Sequence, residues 1–176
     1  RTTRRTKCCR WPVTRRAGKA IEVNALWYQA LMTMAELGER FRLRLQRQYA
    51  RLARLVKQNA ARAFWDAARG CCHDVIGPQA LDSTVRPNQL LAIALPSPLF
   101  GRAQARQILE IVEQQLLTPV GLRTLSPGHS AYVGRWAGPH AQREQARHQG
   151  CAWPWWLGPY WTAALAVRGG AGRKTL

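Results

Sequence analysis

Acidic residues are scarce. Nine Asp and Glu stand against 27 Lys and Arg, and the 176 residues carry a formal net charge of +18. Such an excess raises nucleic acid or an anionic membrane surface as a partner. Its distribution argues against a specific nucleic-acid role. Residues 1–19 hold eight Lys or Arg and no acid, a second cluster runs from Arg40 to Arg69 on a predicted helix, and no recognition motif accompanies either. Long apolar runs are absent too, so no segment reaches the roughly 18 to 20 residues of a membrane span. The basic N-terminal stretch is not followed by an apolar core of a secretory signal, which points to the cytoplasm.

Cysteine spacing is equally uninformative for metal. Cys8 and Cys9, Cys71 and Cys72, and the single Cys151 make neither a CxxC nor a zinc framework. They read as unpaired thiols in a reducing compartment. No metal and no cofactor is implied. Period-two alternation is lacking over any useful length, so no major sheet is expected. At 47% hydrophobic the chain can bury a core, and its length fits one domain or a piece of a larger one.

What is present is helical periodicity broken by long polar connections. Ile21, Ala25, Tyr28, Leu31, Met32 and Ala35 recur at three- and four-residue steps, one face of a helix that Gly38 should weaken. Arg42–Arg69 predicts one long helix, with Leu45, Tyr49, Leu52, Leu55 or Val56, Asn59 and Ala63 on one face and arginines on the other. Gly70–Asn88 reads as a long loop. Gln89–Leu95 predicts a short helix closed by Pro96, and Gly101–Leu117 an amphipathic one. Thr118–Gly150, rich in Gly and Pro, reads as irregular throughout. Trp153–Val167 predicts the last helix, with Pro154 tolerated in its first turn. The expected class is all-α, with paired helices whose long loops gather the unusual residues on one side.

Aromatic residues concentrate in one place. His148–Trp161, HQGCAWPWWLGPYW, holds Trp153, Trp155, Trp156 and Trp161, four of the eight tryptophans. Such rings offer apolar faces with a polar edge, the complement of a sugar ring, and His148 and Gln149 could hydrogen-bond its hydroxyls. The plainer reading is an aromatic helix start buried in a core.

Four strings then occur in order: GKAIEVNALWYQAL (Gly18–Leu31), DSTVRPNQLLAIALP (Asp82–Pro96), ARQILEIVEQQLLTPVGLRTLSP (Ala105–Pro127) and HQGCAWPWWLGPY (His148–Tyr160). Together they resemble the C-terminal catalytic domain of glycogen debranching enzymes, the amylo-α-1,6-glucosidases. The resemblance covers residues 12–167, leaving 1–11 as a basic non-matching tail and 168–176 as a Gly-rich basic tail. It implies part of an (α/α)6 toroid, in which inner and outer helices alternate around a funnel whose loop-built mouth is the active site. It also implies hydrolysis of the α-1,6-linked glucose at branch points of glycogen or limit dextrin, an α-glucan substrate.

Glycoside hydrolysis needs two carboxyl groups beside the scissile bond. The candidates read from position are Glu22, Asp74, Asp82 and Glu144, each in or beside a loop or motif. The resemblance favours Glu22 and Asp82 as catalytic. It makes Asn24, Trp27, Arg86, Asn88, Gln89, Arg123, Thr124, His148, Gln149, Trp153 and Trp155 sugar-binding residues of the funnel. Asp82 and Arg86 read equally as a structural ion pair. One departure stands out. Relatives carry a Thr-Trp-Met-Asp-Ala motif just before the segment matching Val13–Lys19, and its aspartate is the general acid expected there. Arg1–Trp11 holds no carboxylate. Cys71, His73 and Arg147 also stand near family tyrosines. These differences suggest a truncated, frameshifted or drifting copy, with a glucan-binding remnant that lacks hydrolysis as the alternative.

Overall fold

The structure, a computed structural model, describes Thr14 and residues 16–169. The tail at 1–11 with Cys8 and Cys9, and the residues beyond Gly169, lie outside them. The chain enters through a two-residue strand, β1 (Lys19–Ala20), and passes directly into α1 (Ile21–Arg40). Ile21, Ala25, Tyr28, Leu31 and Ala35 are its buried face, as their spacing predicts. Gly38 does not break this helix. It lies where α2 (Gln46–Phe64) begins, and a Cβ there would meet the Gln46 Cβ at 2.8 Å, so its lack of a side chain lets the two helices close up.

The second helix is shorter than the expected Arg42–Arg69. Arg42 takes a left-handed φ of 54°, and the Leu43 N–H returns to the Gly38 carbonyl at 2.8 Å, which closes α1 before α2 starts. At its far end α2 gives way at Trp65, where the chain becomes extended. The hairpin β2 (Trp65–Asp66) and β3 (Cys71–Cys72) follows, with Trp65 opposite Cys72. Asp66 Oδ1 accepts from the Ala68 and Arg69 amides at 3.1 and 3.2 Å and fixes the turn.

β4 (Val75–Ile76) pairs antiparallel with both β1 and β5 (Leu81–Asp82), stitching the long loop to the start of α1. A 3₁₀ turn at Pro87–Leu90 runs into α3 (Leu91–Ala94), with Pro87 at a position that needs no amide. α4 (Arg102–Gln115) follows. β6 (Leu117–Thr118), β7 (Gly121–Arg123) and β8 (Ala152–Trp153) form a second small antiparallel sheet in that order. Gly121 has φ +148°, and a Cβ there would meet the Trp153 carbonyl oxygen at 2.5 Å, so β8 can approach β7 only at glycine.

α5 (His140–His148) corrects the reading of 118–150 as wholly irregular. Its sequence, HAQREQARH, buries Ala146 alone, so no apolar stripe announced it. A 3₁₀ turn, Pro154–Trp156, precedes α6 (Leu157–Arg168), which therefore starts later than Trp153.

Helix contacts set the architecture. α1 packs on α2 and α3, α3 on α6, and α6 on α4. Thus α1, α3 and α6 stand side by side as one wall, with α2 behind α1 and α4 behind the other end. Between the layers Leu31, Phe64, Leu90, Leu99, Ile108, Leu109, Val112 and Leu116 are essentially solvent-free. Each such side chain contributes roughly 1.5–3 kcal/mol relative to exposure. Among the described residues no helix is long and apolar enough to cross a membrane.

Candidate functional site

The three wall helices start at the same end. Arg16, just before α1, Arg86–Asn88 at the start of the α3 turn, and Trp153, Trp155 and Trp156 at the start of α6 all line one pocket of about 310 Å³. Thr14, Thr124, Arg147 and His148 complete its described walls. Helix starts present unpaired amides and a positive dipole end, so this rim favours acceptor groups.

A buried charge network lies under the rim, centred on Asp74. Only 3% exposed, it receives Arg16 Nε on Oδ2 at 2.6 Å and Asn88 Nδ2 on Oδ1 at 2.8 Å, while Arg86 Nε stands 3.8 Å away. Arg16 also grips Glu22 with both terminal nitrogens, at 2.5 and 2.8 Å. One guanidinium therefore joins the two carboxylates, from the first turn of α1 and from the loop before β4. Burial pushes the Asp74 carboxyl above its usual range, and Arg16, Asn88 and Arg86 offset this in part. At the more exposed Arg16 burial is outweighed by Glu22 and Asp74, which hold the guanidinium above its usual value.

Arg86 organises the loops rather than the open pocket. Its Nη1 donates to the Thr124 carbonyl at 3.0 Å and the His148 carbonyl at 2.9 Å, and its Nη2 donates to Gln149 Oε1 at 2.9 Å. Burial lowers its pKa, against the pull of Asp74 and Asp82. Its Nε is buried without a hydrogen-bond partner among the described residues. The ion pair of Arg86 is thus with Asp74. Asp82 instead turns its Oδ1 to the Thr84 amide and hydroxyl, at 3.0 and 2.7 Å, and closes a local turn.

The aromatic part is a platform. Trp155, 55% exposed, stacks on buried Trp156 with ring centroids 4.0 Å apart. Trp153 donates its Nε1–H to the Arg147 carbonyl at 3.1 Å, and the Arg147 guanidinium lies 5.7 Å from its ring centroid. Ring orientation here is fixed by hydrogen bonding and stacking, which suits a flat apolar ligand face.

The sequence-named residues divide into three groups. Arg86, Asn88, Thr124, His148, Trp153 and Trp155 come together on the pocket. Glu22, Gln89 and Gln149 stand behind it. Gln89 Oε1 accepts from the Cys72 amide at 3.1 Å, and Gln149 Nε2 donates to Thr14 Oγ1 at 3.3 Å. Asn24, Trp27, Arg123 and Asp82 are placed elsewhere. Asn24 binds its own helix at the Ala20 carbonyl, 2.8 Å away, and Trp27 is exposed on the outward side of α1. Sequence reasoning passed over Arg16 and did not choose Asp74. Nothing local marks Arg16, because its two carboxylate partners are 6 and 58 positions away. None of the described residues lining the pocket is a carboxylate. Among the described residues no cluster of His, Cys, Asp and Glu is placed to hold a metal ion.

A family model described as amylo-alpha-1,6-glucosidase matches residues 5–174. Among solved structures, the neutral trehalase of Saccharomyces cerevisiae resembles the chain with a TM-score of 0.57 at 16% identity. That match covers 83% of this chain and 29% of the trehalase, so the chain spans less than a third of that protein's length. The likeness gives the fold: the wall of α1, α3 and α6 with its backing helices is part of a six-hairpin (α/α)6 toroid.

Proposed function

The chain belongs to the amylo-alpha-1,6-glucosidase family, and from that premise we propose that its pocket receives the α-1,6-linked glucose of a branch point in glycogen or a limit dextrin. The observation that carries this reading is the Trp153–Trp155–Trp156 platform at the convergence of three helix starts, with Asn88 and His148 on the same wall. A pyranose ring would lie on the aromatic surface with its hydroxyls toward these polar groups. Glu22 and Asp74 are the carboxylates nearest in the network, and hydrolysis would draw its acid and base from such a pair. The raised Asp74 carboxyl suits a proton donor, although Arg16 covers it.

A second reading, glucan binding without hydrolysis, rests on one specific observation. The pocket's described lining contains no carboxylate, and Arg16 occupies both oxygens of Glu22.

Glucose release from a phosphorylase limit dextrin, measured beside tryptophan-fluorescence titration with the same dextrin, tests both. Release lost in Glu22→Gln, with binding kept, would establish hydrolysis through this network. Binding weakened at least tenfold in Trp155→Ala, with no release from the folded chain, would select the second reading. Absence of both binding and release would remove the site.

A further inference from the structure

α5 leads away from the pocket, from His148 and Arg147 on its wall back to Arg143. Arg143 and Arg147 are four residues apart, so they share one face of the helix, roughly 6 Å apart along its axis. Each guanidinium packs on a tryptophan ring. Arg147 lies 5.7 Å from the ring centroid of Trp153, which lines the pocket, and Arg143 lies 5.7 Å from that of Trp136. Trp136 is 58% exposed, on the connection between β7 and α5.

The loop that carries Trp136 is tied to the pocket wall. Val133 bridges to Gly150, and its N–H donates to the Gln149 carbonyl at 2.6 Å, one residue past His148. The Tyr132 ring is clasped between two glycines. A Cβ on Gly134 would meet its Oη at 2.5 Å, and one on Gly150 would meet its Cε2 at 2.7 Å. Three residues of chain reach at most about 11 Å, so Trp136 stays within that distance of Val133. Arg143 is tethered in turn, its Nη1 donating to the Gly138 carbonyl at 2.7 Å. A single exposed tryptophan needs no explanation. This one is oriented by a fixed guanidinium, one helical turn from a pocket wall built in the same way.

We propose that Trp136 and Arg143 form an outer subsite for the α-1,4-linked glucan chain that bears the branch-point glucose. The subsite rests on the glucose reading of the pocket: with that glucose inside, the chain carrying it lies outside and needs contacts of its own. Continuity with the pocket wall favours this occupant, and so does chemistry. An open indole surface takes the apolar face of a sugar ring, and a neighbouring guanidinium donates to its hydroxyls. Glu144 pairs with Arg147 at 3.4 Å, so this face of α5 is not a bare cationic patch for a polyanion. The outer subsite makes the protein prefer a branch on a long chain to the same branch on a short one.

Isothermal titration calorimetry with two ligands tests this. One is panose, a single α-1,6-linked glucose on maltose, and the other is phosphorylase limit dextrin counted by its branch ends. The parent chain should bind the dextrin roughly tenfold more tightly than panose. Trp136→Ala should remove most of that advantage and leave panose affinity within about twofold. Trp136→Phe should keep most of the advantage, and Trp155→Ala should weaken both ligands. Equal affinities in the parent chain, or an advantage that survives Trp136→Ala, would overturn the outer subsite and leave the pocket reading standing. So would a loss of panose binding in Trp136→Ala, because Trp136 would then support the pocket itself. A dextrin affinity that falls steeply with added salt would also overturn it, as counterion release marks a polyanion site. No binding of either ligand would overturn both readings.

Discussion

α1 and α2 are two arms of one hairpin, yet they meet solvent in opposite ways. α2 buries Ala53, Ala60 and Phe64 and sends Arg47, Arg51, Arg54 and Arg62 outward. α1 buries a similar stripe and turns Val23, Leu26, Trp27, Met34 and Leu37 outward. A charged outer face ends a layer, while an apolar one continues it. The arms therefore differ in position within the toroid: α2 is the outer wall, and α1 is an inner-wall helix. Four of the arginines in the basic excess, Arg47, Arg51, Arg54 and Arg62, are the solvated side of that outer wall.

Arginine itself sharpens the contrast. Arg86 is 7% exposed and ties Asp74 to two loops. Arg86→Met leaves a buried carboxylate and two carbonyls short of a partner, and should cost about 3–5 kcal/mol in urea unfolding. Leu31→Ala on the buried face of α1 should cost about 2–5 kcal/mol by the same measurement. The smallest effects are expected outside. Trp27→Ala and Arg54→Gln should each stay within about 0.5 kcal/mol. A Trp27→Ala cost comparable to that of Leu31→Ala would break the comparison, because the outward face of α1 would then be packed within a single chain.

The periodic parts of this fold were legible in the sequence. The stripe Ile21–Ala25–Tyr28–Leu31 and the inward set Ala105, Ile108, Leu109 and Val112 could be read directly, because apolar spacing reports which side is buried. The boundaries of α2 could not, since they depend on the left-handed Arg42 and on the pairing of Trp65 with a strand not yet formed. α5 was invisible because its polar sequence carries no stripe. The site was half legible. The tryptophan cluster and the RPN string identified the pocket walls, but the charge network joins residues far apart in the chain. Asp82 stands nearer to Arg86 in sequence than Asp74 does, and only the folded loop makes the farther carboxylate its ion-pair partner. Trp27 sits in a recognisable string and still points away from the pocket, since a motif mixes residues from both faces of its helix.

Arg86 holds its two loops by their main-chain oxygens, at Thr124 and His148. Every amino acid supplies that oxygen, so the side chain at position 148 can be exchanged without loosening the clamp, whereas Thr124 also accepts the Gly150 amide on its Oγ1 at 2.9 Å. A residue well placed to alter ligand preference, His148, is thus cheap to mutate. Drift at the rim of this pocket can change what is bound long before it changes the fold.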